Sequence, residues 1–264
     1  MFNKEIKNRA IFTKPNFELF TKLGLTSIDM HYHTRYSDTL TKVDAILQKA
    51  YRMGIGVAIT DHNEIRGVLQ AYKNRYNVVI VPGIEVSCED GPHLLIYFYN
   101  VSELIQFHDK HIKPNLREDP WSYTKLKVDQ LLDISKGYNC ITSAAHPYGY
   151  RLSDLGLAKC VRKGYVDENC LNRVDALEVI SGGTMHKLNL RAVMKAEEMS
   201  KPVTGGSDGH TLFELGRVVT SSYADDIETF LKNILIKKNY VIGTETKLIP
   251  KIFEAGKMLT KHMY

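Results

Sequence analysis

Metal-ligand side chains recur in this chain at the ends of its short apolar runs. Asp29, His31 and His33 close the run over residues 26–30, and Asp38 follows a few residues on. Asp61 and His62 close the run over 55–60, and Glu85 follows 78–81 through Pro82 and Gly83. His93 precedes the run over 94–99, His146 follows 140–145, and Asp208 with His210 follows the run that ends in Gly205-Gly206. In a parallel barrel, residues just past the C-terminal ends of strands converge on one face, where barrel active sites lie. Such a fold would gather all these side chains into one place.

The remaining pattern agrees with that architecture. Between the first two runs, Val43, Ile46, Leu47, Ala50 and Met53 keep the i, i+3, i+4, i+7 spacing of a helix with one buried face. Thr41 is the expected N-cap, with Asp44 three residues later, and Gly54 the expected stop. Helices are predicted over 64–76, 125–136, with Gly137 as terminator, and 186–199. Strands are predicted over 140–144, 176–180 and 202–205. A last helix over 225–236, a strand over 240–242 and a closing helix over 249–259 complete the reading. Short strands alternating with helices predict an α/β fold with a mainly parallel sheet, either a barrel or an open doubly wound sheet. With no internal repeat and no Pro-, Gly- or Ser-rich linker, one domain over 1–264 is expected.

Composition narrows the class without naming a function. An apolar content of 44% with 25% charged residues suits a globular core. No stretch approaches the ~20 consecutive apolar residues of a membrane span, and the N-terminus reads as no secretory signal, so a cytoplasmic location is expected. Cys88, Cys140, Cys160 and Cys170 form no Cys-x-x-Cys pair, which argues against a zinc ribbon or a thioredoxin-like motif. The net charge of +5 suits an anionic substrate but is mild, and no Lys/Arg run marks a nucleic-acid arm.

Each ligand candidate alone has an ordinary structural explanation. His31 and His33 share one side of an extended strand and can chelate an ion, yet two histidines at that spacing are common. Asp61-His62 reads as a turn, and Gly206-Ser207-Asp208-Gly209 is good turn chemistry. Their joint occurrence favours a metal site.

Together these segments resemble the polymerase-and-histidinol-phosphatase (PHP) superfamily. Asp29-Met-His31-Tyr-His33-Thr-Arg-Tyr-Ser37-Asp38 is similar to its first motif, Asp-x-His-x-His-Ser/Thr-x-x-Ser-Asp, and Thr60-Asp61-His62-Asn63 to its second. Gly83-Ile-Glu85-Val with His93-Leu-Leu-Ile-Tyr-Phe resembles the third, and Ala145-His146-Pro147 and Gly206-Ser207-Asp208-Gly209-His210 complete the set. The resemblance implies a distorted TIM-like barrel of about seven strands, carrying a centre with as many as three divalent ions. It assigns His31, His33, Glu85 and Asp208 to the first ion. Glu85, as a bridge, with His93 and His146 would hold the second, and Asp38, His62 and His210 the third. Two departures touch no ligand: Thr39 stands where Gly is frequent, and Gly209 where Ala is common. Asp38, where some members use His, tilts the third position toward harder ions such as Mn²⁺, with iron and zinc also open.

The activity implied is hydrolysis of small phosphate esters, such as nucleotide or similar monophosphates, with Glu85, Asp208 and His210 at the catalytic centre. Two divalent ions held roughly 3.5–4 Å apart make a bridging water acidic enough to be hydroxide near neutral pH. Such a hydroxide attacks phosphorus in line while the ions neutralise the equatorial oxygens. Histidinol phosphate is an alternative substrate, and a metal-stabilised module that binds a phosphorylated ligand with little turnover is an alternative class. The expected partner is a small phosphorylated substrate, not a membrane or a nucleic acid. Asp29 and Asp61 are expected behind the ligands, accepting imidazole N–H protons. Arg35, Arg151 and Arg217 are candidate phosphate contacts. Tyr148, Tyr150 and Trp121 are candidate stacking surfaces, and His108 and His111 are expected to face solvent. A substrate lid is expected from 101–138 or 151–172.

Overall fold

Ten strands form one mixed sheet in the computed structural model, which describes residues 9–74, 76–118, 123–149 and 156–245. The first half of the chain supplies β1 (Ala10–Ile11), α1 (Phe17–Lys22), β2 (Thr26–Tyr32), α2 (Val43–Met53), β3 (Gly56–Ile59), α3 (Arg66–Tyr72), β4 (Ile80–Ser87) and β5 (His93–Phe98). Then come α4 (Val101–Phe107), α5 (Val128–Ser135), β6 (Cys140–Ala144), α6 (Leu157–Arg162), α7 (Glu168–Arg173) and β7 (Ala176–Ser181). The last elements are α8 (His186–Glu198), β8 (Val203–Gly206), β9 (Val218–Ser222), α9 (Ile227–Leu235) and β10 (Asn239–Gly243).

The strand order is β1-β10-β9-β2-β3-β4-β5-β6-β7-β8. From β2 to β8 the sheet curls until its last strand returns to its first. The Asp208 N–H donates to the His31 carbonyl at 2.8 Å, and the His33 N–H donates to the Gly209 carbonyl at 3.1 Å. Farther along the seam, the Gly205 N–H donates to Thr220 Oγ1 at 3.0 Å and the Asn239 amide donates to the Val203 carbonyl at 2.9 Å. Gly206 permits this closure, because a Cβ there would collide with the backbone of His31. The expected distorted barrel is therefore present, and β9, β10 and β1 extend the sheet beyond β2.

The sheet is less parallel than expected. β5 runs antiparallel to β4 and β6, and β9 runs antiparallel to β2 and β10. β4 is longer than the run 78–81, so Pro82, Gly83 and Glu85 lie inside the strand and not beyond it. β9 had no counterpart in the sequence reading. No described helix is long and apolar enough to cross a membrane.

The two-residue alternation of side chains splits the barrel interior into two zones. Toward one end, Ile28, Ala58, Val81, Leu95, Tyr97, Ile141 and Ala176 form an apolar plug, with Phe230, Leu231 and Ile234 of α9 in the same cluster. Residues on the same faces nearer the other end are polar. Glu85 lies four beyond Val81, His93 two before Leu95, and Glu178 two beyond Ala176. The reversed direction of β5 puts His93, its first residue, at the end where its neighbours finish. A larger apolar layer fills the space between the sheet and the outer helices.

Helix ends show where local chemistry gave way to tertiary contacts. α2 begins at Val43 after Lys42, with no side-chain cap. Thr41 does not cap it, because its hydroxyl is drawn instead to the His210 carbonyl at 2.9 Å. Gly54 ends α2 at φ +67°, as expected. His108 and His111 do not both face solvent: a π-helical turn at His108–Ile112 buries His108 and sets His111 Nε2 3.0 Å from the Tyr138 hydroxyl. The closing helix predicted over 249–259 lies outside the described residues.

Phe230 is fully buried at the apolar end of the barrel. Phe230→Ala is expected to lower the unfolding free energy by about 3–5 kcal/mol, read from the midpoint of a urea titration. A loss under 1 kcal/mol would show that α9 does not seal the barrel.

Candidate metal centre

The polar end of the barrel is organised around Glu85, whose carboxylate is fully buried on β4. Its two oxygens face different groups of imidazoles. Oε1 lies 3.1 Å from His93 Nδ1 and 3.1 Å from His146 Nε2. Oε2 lies 3.2 Å from His31 Nε2, 3.3 Å from His33 Nε2 and 3.2 Å from His62 Nδ1. Asp208 Oδ1 approaches the same His31 and His33 nitrogens at 3.7 and 3.4 Å. At the more open edge, Asp38 Oδ2 lies 2.9 Å from His210 Nε2 and 3.5 Å from His62 Nε2.

All nine ligand positions singled out in the sequence come together here. Four compact donor groups can be drawn with atoms within 4.8 Å of one another: His31–His33–Asp208, His33–Asp38–His210, His33–His62–Glu85 and Glu85–His93–His146. The first and last follow the expected division. Asp38, His62 and His210 are neighbours but do not form one such group, and His33 joins both sides of that edge.

The donors fit divalent metal. His31 Nε2 and His33 Nε2 point at each other across 3.1 Å beside the same carboxylate oxygen, an arrangement suited to two lone pairs converging on a cation. Buried His33 Nδ1 has no hydrogen-bond partner, and Asp38 Oδ1 lies beyond bonding distance at 3.6 Å. Imidazole with carboxylate suits zinc, iron or manganese more than a site built for thiolate-preferring ions.

In the metal-free protein the protons are unevenly held. Burial lowers the His33 pKa to about 4, despite the Asp38 carboxylate beside it. Burial also acts on His62, but Glu85 and Asp38 outweigh it and raise that pKa to about 9. Glu85 is pushed up by its own burial, yet the imidazoles of His31, His62 and His93 hold it well below the usual carboxylate range.

The residue that orients His31 is one the sequence reading missed. Glu178 Oε1 accepts from His31 Nδ1 at 3.0 Å, and its Oε2 accepts the His146 backbone N–H at 2.7 Å. One buried carboxylate therefore fixes the His31 tautomer, turns its Nε2 inward, and anchors the His146 turn. A lone Glu inside the apolar run Ala176-Leu-Glu-Val-Ile was the available signal, because a buried charge there needs partners.

Asp29 and Asp61 lie behind the ligands but do not accept imidazole protons as expected. Asp29 accepts the Ser207 N–H at 2.8 Å, the Ser207 hydroxyl at 2.6 Å and the Gly216 N–H at 2.9 Å. It thus ties β2 to the loop carrying Asp208 and His210. Asp61 accepts the Thr34 N–H at 2.6 Å, the Thr34 hydroxyl at 2.7 Å and the Ser37 hydroxyl at 3.0 Å, which folds the loop between His33 and Asp38. Burial raises both carboxyls to about 6 against these hydrogen bonds. The difference lies in direction: these side chains meet backbone amides and hydroxyls of the ligand loops, and of the three carboxylates behind the ligands it is Glu178 that reaches a ring.

The two sequence departures have local roles. Thr39 donates its hydroxyl to the His210 carbonyl, a bond glycine could not make. Gly209 packs so closely on the Tyr32 ring that a Cβ would clash. Asn63, His146 and Asp208 adopt positive φ of 52°, 29° and 49° beside the centre, a conformation that costs non-glycine residues energy and collects at functional sites.

The three arginines part company. Arg35 is exposed on the loop between His33 and Asp38, its guanidinium 5.4 Å from the Tyr36 ring centroid. Arg66, whose guanidinium is 5.2 Å from the same ring centroid, was not anticipated. Arg217 lines a separate cavity of about 410 Å³ with Lys14, Lys49 and Phe17. Arg151, Tyr150 and Trp121 lie outside the described residues.

Glu178→Ala is expected to weaken binding of Mn²⁺ by about 10- to 100-fold, measured by calorimetric titration. Unchanged affinity would remove Glu178 from the centre. Metal affinity should also climb with pH and level off above about 9, because His62 keeps its proton until then and a ligating nitrogen must give its proton up. The sign for apo-protein stability is opposite. A raised imidazole pKa contributes stability that is full below pH 6.5 and lost as pH rises through about 9. A flat affinity from pH 6 to 9 would contradict the assignment.

The PHP domain family profile matches residues 29–247. No curated protein matches the chain in sequence. Among solved structures, a candidate metal-dependent phosphoesterase from Bifidobacterium adolescentis superposes with a TM-score of 0.53 at 17% identity, covering 84% of this chain and 98% of its own. Endonuclease Q, in complex with a 27-mer duplex bearing an abasic lesion at the active site, superposes with a TM-score of 0.64 at 18% identity. That match covers 84% of this chain but 60% of the endonuclease. An amidohydrolase from Chromobacterium violaceum with bound sulfate reaches a TM-score of 0.60 at 15% identity, covering 78% of this chain and 96% of its own. These structures share the fold, and the chain belongs to the PHP domain family.

Proposed function

We propose that the chain is a metal-dependent phosphoesterase acting on small phosphate esters such as nucleotide or similar monophosphates. The observation that carries this reading is Glu85, whose two oxygens each face a separate set of imidazole donors. A carboxylate so placed would serve both sets of donors if each held an ion.

His31, His33, Glu85 and Asp208 would hold one ion, Glu85 with His93 and His146 a second, and Asp38, His62 and His210 a third. Divalent ions in such a cluster supply Lewis acidity toward phosphate oxygens and lower the pKa of a bound water toward neutrality. Glu178 keeps the His31 ring turned and so holds its Nε2 in place for binding. Asp29 and Asp61 hold the two ligand loops and reduce the rearrangement needed when substrate arrives. Asp38 and His210 are each 27% exposed, whereas Glu85 is 1% exposed. Substrate therefore enters on the Asp38–His210 side, beside Arg35. The deep side, behind Glu85, excludes water.

The test is inorganic phosphate release with Mn²⁺ supplied, from nucleoside monophosphates, histidinol phosphate and a phosphotyrosine peptide. Asp208→Ala runs beside the unaltered protein. Turnover of one class with a loss of at least about 100-fold in the variant is expected. Metal-loaded protein that binds these esters without releasing phosphate would mark a binding module instead.

A further inference from the structure

The turn after β8 carries His210, and side chains take every polar group of the backbone at His210 and Thr211. Glu214 Oε2 accepts the His210 N–H at 2.9 Å and the Thr211 N–H at 3.0 Å. The Thr39 and Thr41 hydroxyls donate to the His210 carbonyl, and the Tyr32 hydroxyl donates to the Thr211 carbonyl at 2.6 Å. Lys49 of α2 donates to the next carbonyl, that of Leu212.

These tethers come from two places. Tyr32, Thr39, Thr41 and Lys49 belong to the segment from β2 into α2, which also carries His33 and Asp38, and they fix where the turn lies relative to Asp38. Glu214 acts from within the turn. Thr211-Leu-Phe-Glu214 has the spacing of a capping box, in which a glutamate reaches back to the first amide of a helix. Here β9 follows and not a helix, and the carboxylate also takes the amide of His210. Glu214 is 3% exposed, and its Oε1 makes no hydrogen bond. A buried carboxylate is costly unless its oxygens are bonded, and this one directs its bonds to the backbone of a ligand.

The His210 ring is aimed to match. Its Nδ1 lies 3.0 Å from the Asp208 carbonyl, and its Nε2 lies 2.9 Å from Asp38 Oδ2. An Nδ1–H donated to that carbonyl leaves the Nε2 lone pair for a cation shared with Asp38. Asp208 has anchors of its own. Its N–H donates to the His31 carbonyl at 2.8 Å, and Ser207 before it is bonded twice to Asp29. Loss of Glu214 therefore loosens His210 and leaves Asp208 in place.

We propose that Glu214, with Thr39 and Thr41, is a positioning clamp that holds His210 Nε2 beside Asp38 and so sets the affinity of the ion assigned to Asp38, His62 and His210. None of the three clamp residues is a ligand. The inference rests on the proposed sharing of one ion by Asp38 and His210, and it is independent of which ester is cleaved.

The experiment titrates full-length metal-free protein with Mn²⁺ by calorimetry and counts bound Mn²⁺ by electron paramagnetic resonance. Asp38→Ala identifies the binding step that belongs to this ion. Glu214→Ala is expected to weaken that same step by about 10- to 100-fold and to change the others by less than about 3-fold. Glu214→Gln keeps an oxygen that accepts both N–H groups, and is expected to stay within about 3-fold of the unaltered protein at every step. A uniform loss over all steps in Glu214→Ala marks a general loosening of the fold and overturns the clamp. An unchanged step, or a Gln variant that falls as far as the Ala variant, overturns it too. Thr39→Val/Thr41→Val releases the His210 carbonyl without removing charge and is expected to weaken the same step by at least about 10-fold. Should Glu214→Ala fail to fold, an unchanged step in the Val pair overturns the clamp. If Asp38→Ala leaves every step unchanged, the ion assignment falls and the clamp with it. If Asp38→Ala removes a step that Glu214→Ala leaves intact, the clamp falls alone. Phosphate release enters none of these readings, so failure of the phosphoesterase reading leaves them standing.

Discussion

A single buried carboxylate dictates much of this barrel's geometry. Glu85 meets five imidazoles within 3.3 Å, from His31, His33, His62, His93 and His146. An ionised carboxylate without partners in such a place would cost several kcal/mol or more. Its partners come from β2, the end of β3, the start of β5 and the turn after β6. Those elements have to finish at one level around β4. The antiparallel insertion of β5 meets this condition, because only a reversed strand lets its first residue stand beside its neighbours' last ones.

Three further buried carboxylates convert that level into rigid loops. Asp29 joins β2 to the loop after β8, Asp61 folds the loop after β2, and Glu178 clamps the His31 ring to the His146 turn. Their acceptor atoms are filled mainly by backbone N–H groups and hydroxyls of ligand-bearing loops. This explains how Asn63, His146 and Asp208 persist at positive φ. The hydrogen bonds around each turn leave little freedom to relax, so the strain is retained where the ligand direction depends on it.

Much of this was legible in the sequence because short apolar runs, helical spacing and ligand positions are local signals. Ligands near the ends of apolar runs suited a barrel, while the alternation of strands and helices left an open doubly wound sheet as well. The resemblance to the PHP superfamily implied the distorted barrel, and the strand at Cys140–Ala144 was readable to the residue. What escaped reading depended on contacts distant in sequence. Thr41 looks like an N-cap until the His210 carbonyl, 169 residues away, takes its hydroxyl. Glu178 reads as an interruption in a strand until the barrel closes and His31 arrives beside it. β9 carries Val218-Val-Thr-Ser-Ser, too short and polar to announce itself, yet it is the strand that continues the sheet beyond β2. Asp29 and Asp61 were placed correctly behind the ligands but given the wrong partners, since spacing cannot show which way a buried carboxylate turns.

The distribution of cations carries the same logic to the opening of the centre. Arg9, beside Asn239 at the β10 edge, is the only buried lysine or arginine among the described residues. Among the described residues, therefore, no Lys or Arg is buried with the carboxylates and imidazoles at the polar end of the barrel. A phosphate dianion placed there has to draw its positive charge from bound ions or protonated imidazoles. Exposed cations among the described residues include Arg35 and Arg66 beside Tyr36 and Arg162, Lys187 and Arg191 around a cavity beside Tyr148. Under the phosphoesterase reading proposed above, exposed cations would steer an anion toward the centre, and the deep site would depend on its ligands. That separation makes metal occupancy, more than the net charge of the chain, the condition for holding phosphate against Glu85.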